Sequence, residues 1–193
     1  MFAIQKRPKN QIRKDIIKFM EKTCARVDPN PGKYGCGMIH KNALVLATSH
    51  KDAPRATPLE FFHDGLTIYI VAEPGGKIAN IKRNRKVSAA IYEQPLDHSK
   101  FQKSLQIFGT AELINIRNNP RLYKAKARKF NLNVILETLL KAASKNKKIP
   151  DKEKKAMFDK LFGAINIIKI TPYHIILREY HRDFLMPKYE WKK

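Results

Sequence analysis

The stretch from Ala43 to Leu113 alternates short β-rich runs with turn signals, and this alternation constrains the fold more than any other feature of the sequence. The runs are rich in Ile, Val, Tyr and Thr, residue types that favour strands. Gly, Pro and Asp residues separate the runs, as expected for turns. The pattern predicts five strands, at residues 43–48, 55–62, 66–72, 87–92 and 104–113.

Three details restrict how these strands pair. The turn at His63-Asp64-Gly65 is short enough to make residues 55–62 and 66–72 antiparallel neighbours. Pro58 cannot donate a hydrogen bond to a sheet, so one edge of its strand is free or faces something other than a strand. Gly109 predicts a bulge or a bend in a closed barrel.

Helical periodicity marks the sequence on both sides of this stretch. Apolar residues repeat on one side of residues 10–24, and residues 118–162 contain three helical segments. A short helix is predicted at residues 77–83, inside the strand-rich stretch. Strand character returns at residues 164–180, with an interruption at Thr171-Pro172. Six or seven antiparallel strands with short turns predict a mainly β, α+β protein, either a barrel or a sandwich with added helices.

Size and composition favour one soluble domain. A chain of 193 residues with 43% hydrophobic content can bury a substantial core, so we expect a single domain over residues 1–193. Cys24 and Cys36 are too few for a disulfide framework and are expected to be reduced thiols. Residues 1–14 contain no apolar signal region, and no apolar run reaches the length of a membrane span. We therefore expect a cytoplasmic protein with no membrane partner.

Net charge is the anomaly of this composition. The 39 Lys and Arg residues outnumber the 17 Asp and Glu residues, which gives a formal charge of +22. Such an excess raises the affinity for nucleic acid, phosphorylated ligands and anionic membranes without selecting among them. Many of the lysines fall in the helical residues 118–162. A solvated basic surface is the simplest interpretation, and a polyanion partner is the alternative.

A glycine turn within the strand-rich stretch can hold a phosphate. Gly75 and Gly76 let the backbone approach a ligand closely, the helix that follows presents unpaired N–H groups, and Lys77 adds a positive charge. Turns of this kind are also common structural junctions. Arg55 can form a surface ion pair or reach a phosphate, and the predicted hairpin brings Arg55 towards Lys77.

The sequence offers little sign of protein-borne catalysis or metal binding. Its six histidines are scattered and no two are four residues apart, so no zinc site is predicted. No Ser/His/Asp or Cys/His arrangement is recognisable, and no catalytic residue is assigned.

Several pieces of the central stretch match a known pattern in their order. The pieces are L-A-T (46–48), P-R-x-x-P-L-x-F (54–61), L-x-I-Y-I (66–70), K-x-x-N-I-x-R-N-x-x-V-S-A-A-I (77–91) and G-T-A-E-L (109–113). They resemble the FMN-binding split-barrel family, whose best known members are the pyridoxamine 5′-phosphate oxidases. The resemblance implies a six-stranded antiparallel split β-barrel with flanking helices and a homodimer that binds FMN at its interface. The region at about residues 118–162 is longer and more helical than a minimal split barrel needs, and we interpret it as a helical insertion.

The resemblance also implies which residues contact the flavin. One strand would line it from Arg55 to Leu59, and the facing strand would do so at Tyr69 and Ile70. Lys77 matches a residue that holds the phosphate, and Gly76 stands where many relatives have a second basic residue. The remaining implied contacts come from the fifth strand and from the carboxy-terminal tail, where either Trp191 or His181-Arg182 takes the family's flavin contact. The implied cofactor-binding positions are Arg55, Ala56, Thr57, Pro58, Leu59, Tyr69, Ile70, Gly76, Lys77, Ser104, Gln106 and Trp191.

Two positions depart from the pyridoxamine oxidases. Glu60 stands where those enzymes carry a lysine that contacts the substrate, and a carboxylate there repels a phosphorylated substrate. The segment Arg178–Arg182 lacks the family's Arg-Leu-His signature. Both departures weaken an assignment as a pyridoxamine oxidase and leave the expectation of flavin binding intact.

The leading hypothesis is an FMN-binding oxidoreductase with its flavin at a homodimer interface, a small-molecule substrate and NAD(P)H as electron donor. The flavin would carry the chemistry, so the protein need not supply a nucleophile. One alternative is a polyanion-binding module, for nucleic acid, on a degenerate barrel. Another is a split barrel that binds deazaflavin or haem, with His174 or His181 as the haem ligand.

Overall fold

A computed structural model describes residues 6–27, 38–39, 42–93, 102–143, 150–180 and 186–193. The helices are α1 (Lys9–Thr23), α2 (Gly76–Arg83), α3 (Pro120–Lys129), α4 (Leu132–Ala143) and α5 (Asp151–Ala164). The strands are β1 (Arg26–Val27), β2 (Met38–Ile39), β3 (Leu44–His50), β4 (Ala53–Leu59), β5 (Phe62–Asp64), β6 (Thr67–Ala72), β7 (Lys86–Tyr92), β8 (Gln102–Ile114), β9 (Asn166–Tyr180) and β10 (Lys188–Lys192).

The main sheet is antiparallel and has eight strands. Its order is β4-β3-β7-β8-β9-β6-β5, and β10 pairs with β9. β4 and β5 lie at opposite ends of this order, although only Glu60 and Phe61 separate them in the chain. Three Cα–Cα steps span at most about 11 Å, so the sheet curls until its two edges meet. This is the predicted split barrel, with the split between β4 and β5, and β1 and β2 form a separate two-stranded sheet.

A large apolar cluster fills the barrel, and α1 contributes one side of it. Ile12, Ile16, Phe19 and Met20 are buried there and repeat at helical spacing, as the sequence pattern predicts. They pack with buried residues from the strands of the sheet, among them Leu44, Leu46, Ile68, Ile70, Ile91, Ile107, Ile175 and Leu177. The helix is amphipathic because this one side is removed from water.

A second apolar cluster attaches α3 and α4 to the other side of the sheet. Tyr69 belongs to this cluster, whereas its neighbours Ile68 and Ile70 belong to the first, because successive strand residues point to opposite faces. The ring of Phe130 stacks on Phe62 with centroids 4.5 Å apart. The predicted helical insertion is therefore joined to the sheet by packing as well as by the chain.

The predicted hairpin between residues 55–62 and 66–72 is wrong. β4 pairs instead with β3 along its whole length, through a two-residue turn at Lys51 and Asp52 whose φ angles are 50° and 58°. Positive φ at both central residues is the geometry that matches the twist of paired strands. Of the predicted strand only Phe62 pairs with β6, together with His63 and Asp64 of the predicted turn. Pro58 thus lies on an edge strand, as its missing N–H predicts.

The expected break at Thr171-Pro172 is also wrong, since β9 continues through it. β6 pairs with β9 up to Ile170, and β10 pairs with it from His174 onwards. Pro172 lies between these two partners and opposite Gly109, where the register with β8 shifts. The edge of β9 that pairs with β6 and β10 has no described strand partner at Pro172. The missing N–H of the proline therefore breaks no hydrogen bond on that edge, and the strand continues through it.

The helices begin and end within a few residues of the predicted bounds. In α5 no residue is buried, whereas Tyr123 of α3 is fully buried and its hydroxyl donates a 2.7 Å hydrogen bond to the carbonyl of Phe162. Burial raises the pKa of Tyr123 to about 12.

Among the described helices, none is long and apolar enough to cross a bilayer.

Gly109 provides a test of the predicted bulge. A Cβ at this position would lie 2.8 Å from the carbonyl oxygen of Thr171, which is backbone and cannot rotate away. We expect Gly109→Ala to lower the free energy of unfolding by about 1–3 kcal/mol. Gly163→Ala is the matched control: its Cβ meets nothing within 4 Å, and alanine favours a helix over glycine by up to about 1 kcal/mol. Equal melting temperatures of the two variants would contradict the packing at Gly109.

Glu190 on β10 provides a test by pH. Hydrogen bonds from Lys188, and then from Lys192, hold its pKa at about 2, below the usual 4.5. A lowered carboxyl pKa stabilises the fold above the unfolded-state pKa, and this contribution is lost as pH falls through the folded-state pKa. We expect Glu190→Gln to lower the urea midpoint at neutral pH, with the difference from the wild type shrinking between pH 4.5 and about 2. Glu153→Gln, at an exposed position of α5, should change neither the urea midpoint at neutral pH nor its dependence on pH.

Candidate functional site

Arg55 of β4 and the first turn of α2 form a group that we call the cradle, made of Arg55, Gly75, Gly76 and Lys77. The guanidinium of Arg55 packs directly over Gly76, where an added Cβ would lie 3.0 Å from Nη1 and 3.2 Å from Cζ. Glycine is therefore what allows this approach. No described side chain caps the start of α2, so its first N–H groups point out of the helix next to the guanidinium of Arg55, and Lys77 belongs to the same turn.

Two asparagines hold α2 against the sheet beside Arg55. The side-chain amide of Asn80 donates to Thr48 Oγ1 at 3.2 Å, and that of Asn84 donates to the carbonyl of Ser49 at 3.2 Å. Thr48 is buried and pairs with Arg55 in the β3–β4 register. Sequence reasoning missed these two residues, although both belong to the motif that follows Lys77.

The backbone edges on both sides of the split lack a strand partner within the described chain. β4 pairs with β3 alone. On the other side, β5 covers β6 only from Thr67 to Tyr69, so Ile70 to Ala72 pair with β9 alone. Open strand edges present N–H and C=O groups that can bind a polar planar molecule.

Thr57 carries an unsatisfied polar atom next to the cradle. Its Oγ1 is buried and has no hydrogen-bond partner among the described residues. Thr57 is two residues from Arg55, so both side chains leave the same face of β4. Buried hydroxyls are nearly always hydrogen-bonded in native proteins. An atom of a bound ligand would supply the partner that the chain does not.

The implied contacts at Tyr69 and Ile70 are constrained by packing. Ile70 is fully buried in the barrel core, so only its backbone can face a ligand. Tyr69 is buried in the second cluster, with the amine of Lys126 4.2 Å from the centre of its ring. Lys126 also lies 3.1 Å from Asp64. The hydrogen bond from Lys126, and then that from Lys129, lowers the pKa of Asp64.

Ser104 and Gln106 lie on β8 and do not reach the cradle of their own chain. Across the sheet, Gln106 pairs with Ala90, Ala90 with Val45 and Val45 with Pro58. Three strand spacings of about 4.8 Å therefore separate Gln106 from β4. Gln106 is exposed, whereas Ser104 is half-buried with its Oγ 3.4 Å from the hydroxyl of Tyr180.

Trp191 is placed elsewhere again. It lies on β10, packs against the barrel core and has the amine of Lys9 6.0 Å from its ring centre. The structure thus brings together Arg55, Gly76 and the adjoining part of β4, and it leaves Ser104, Gln106 and Trp191 outside this group within one chain.

The residues considered for haem give a mixed result. The imidazole of His174 stacks on Phe108 with centroids 5.5 Å apart, and its Nε2 lies 3.3 Å from a carboxylate oxygen of Glu190. His181 lies outside the described residues.

Glu60 is exposed on the link between β4 and β5, at the split. In the described part of the chain, no three His, Cys, Asp or Glu side chains are grouped for a metal ion.

Solved structures are similar to this chain at low sequence identity. The structure of PhzG from Burkholderia lata 383 with tetrahydrophenazine-1-carboxylic acid has a TM-score of 0.57 and 11% identity, over 100% of this chain and 93% of that one. A FAD-binding protein from Mesorhizobium loti has a TM-score of 0.49 and 16% identity, over 81% and 97%. A heme binding protein from Mycobacterium smegmatis has a TM-score of 0.46 and 16% identity, over 76% and 52%.

The sequence family described as pyridoxamine 5′-phosphate oxidase matches residues 38–164, more than half of the chain. No curated protein sequence matches the chain. The matched segment contains β2 to β8, α2 and the cradle, so the match covers the elements that build the site. The chain belongs to the pyridoxamine 5′-phosphate oxidase family.

Proposed function

We propose that this protein binds FMN, with the flavin phosphate in the cradle, and acts as a flavin-dependent oxidoreductase. The observation that carries the proposal is the guanidinium of Arg55 packed over Gly76 at the uncapped start of α2. A phosphate monoester carries the charge and the acceptor oxygens that two cations and unpaired N–H groups can bind. Membership of the family supports the same ligand class.

β4 would hold the flavin ring. The unpaired edge of β4 supplies backbone groups from Thr57 to Leu59, and Thr57 Oγ1 supplies a hydroxyl without a partner. The open edge of Ile70 to Ala72 lies on the other side of the split. These groups fit the polar rim of a flat heterocycle. A bound flavin supplies the two-electron redox chemistry, and the chain's residues bind and orient it.

A second copy of the chain would complete the site. Ser104, Gln106 and Trp191 do not reach the cradle of their own chain, and the sheet surface that carries Gln106 also exposes Val45 (40%) and Tyr92 (50%). Large exposed apolar side chains on a sheet face favour association. We therefore propose a homodimer in which each copy contributes these residues to the other's flavin.

Glu60 bears on the substrate. It is exposed at the split, next to the strand proposed to hold the ring. A carboxylate at this position disfavours a phosphorylated substrate through like-charge repulsion. The proposed substrate is a small molecule without a phosphate, and NAD(P)H is the proposed electron donor.

Visible absorption tests the cofactor. We expect the purified protein, after incubation with excess FMN and removal of free ligand, to retain flavin absorption bands that bleach on addition of NADH or NADPH. A preparation that stays colourless would contradict the proposal. A Soret band after incubation with haem, without flavin bands after FMN, would assign the barrel to haem instead.

Lys77→Ala tests the position of the phosphate. Loss of one charged hydrogen bond should weaken FMN binding by about 1.5–3 kcal/mol. Riboflavin lacks the phosphate, so its affinity should stay the same in the variant. Lys155→Ala, at an exposed lysine of α5, is the matched control and should bind FMN like the wild type. Titration of flavin fluorescence measures each affinity, and an equal loss for FMN and riboflavin would mean that Lys77 does not contact the phosphate.

A further inference from the structure

Two depressions adjoin on the surface beside α2. The first, of about 430 Å³, lies between α2 and the turn from β8 to α3, and Lys82, Arg85 and Asn118 are among the residues that line it. The second, of about 400 Å³, is lined by Lys82, Arg83 and the Pro74-Gly75 turn. Because Lys82 lines both, the two depressions adjoin at this residue, and we call the pair the track.

The cations of this track are exposed and unpaired in the described structure. We call them the basic tract. It consists of Lys82, Arg83 and Arg85, which line the depressions, together with the exposed Lys86, Arg117 and Arg121, which lie within two residues of lining residues in the chain. None of the six forms an ion pair with a described carboxylate. The one carboxylate that lines the first depression, Glu112, is 3.1 Å from the amine of Lys169 and is thereby neutralised. The local charge is therefore strongly positive.

Two features direct this charge into the first depression. Arg85 donates from Nε to the carbonyl of Ala111 at 3.1 Å, which anchors the guanidinium and leaves its two terminal amino groups for a ligand. The amino-terminal end of α3 also meets this depression, since Asn119 both lines it and caps the helix by accepting from Leu122 N. The helix dipole adds positive potential at that end.

We propose that the basic tract binds the phosphate backbone of double-stranded nucleic acid. Adjoining depressions that share a cation fit a polymer with successive phosphates better than a ligand with a single phosphate. Among the described residues, no aromatic side chain lines either depression. No described side chain there stacks with unpaired bases, and a duplex that presents only its backbone suits the surface. Binding is sequence-independent, and the formal charge of +22 adds long-range attraction.

An anionic membrane fits this surface less well. Peripheral membrane binding combines basic residues with apolar side chains that enter the bilayer. The exposed large apolar side chains of the described residues are Val45, Tyr92, Met157, Leu161 and Tyr173, and none belongs to the tract or to its depressions. The basic tract therefore suits a phosphate polymer in aqueous solution better than the surface of a bilayer.

The test uses a fluorescein-labelled DNA duplex of about 16 base pairs, one that can contact several phosphates, and measures anisotropy over a range of salt concentrations. We expect Lys82→Ala/Arg85→Ala to weaken binding on the order of tenfold and to reduce the slope of log K against log salt by about 2. Lys152→Ala/Lys155→Ala removes the same charge from exposed positions of α5 and should leave the slope unchanged. Lys82→Arg/Arg85→Lys keeps the charge and should keep the slope.

Three results would overturn the proposal. Wild-type protein that does not bind the duplex at low salt contradicts it directly. Equal losses in the tract and α5 variants would assign binding to net charge alone. Loss of binding to phosphatidylserine-containing vesicles in the tract variant, with duplex binding intact, would assign the tract to a membrane. The melting temperature of each variant shows that it is folded, and flavin absorption is recorded separately, so the outcome does not depend on FMN binding.

Discussion

The structure depends on β4 having a single strand neighbour. The turn at Lys51 and Asp52, with both φ angles positive, ties β4 to β3 in a two-residue hairpin. Pro58 lies in β4, so the strand cannot be fully hydrogen-bonded on both sides. The unpaired edge of β4 creates the split in the barrel and leaves backbone groups open beside Thr57. It also determines where Arg55 reaches Gly76. A β4 paired on both edges would leave no room for a flat ligand.

Much of the fold could be predicted because its signals are local. The apolar stripe of α1, the glycine turn before α2 and the edge position of Pro58 each depend on a few neighbouring residues. The break after Leu59 could not be predicted, since Glu60-Phe61-Phe62 contains no turn-forming residue. There the chain leaves one sheet edge for the other while Phe61 is fully buried, and this is decided by tertiary packing. At Pro172 the same applies: the local signal predicts a break, and the arrangement of neighbouring strands removes its cost.

The candidate site was predictable in part. Arg55 was expected near Lys77 through a hairpin that β4 does not form with β6. The contact of Arg55 with Gly76 arises instead because α2 lies against β3, where Asn80 donates to Thr48. Side-chain amides that join a helix to a strand thirty residues away leave no periodic trace in a sequence. For Ser104, Gln106 and Trp191 the expectation rests on a second copy of the chain, which no pattern within one chain can place.

The pairing of β6 with β9 has a consequence for how the chain folds. β3, β4 and α2 lie close together in sequence, and so do the groups of the cradle that they carry. Ile68 of β6, in contrast, pairs with Ile170. The segment between them contains α2, β7, β8 and α3 to α5, and it must loop back before the barrel closes. Closing a long loop costs entropy before its contacts form, and such contacts slow folding. We expect the cradle side of the sheet to become ordered early and the barrel to close last, which leaves the open edge of β6 exposed to other chains in the meantime.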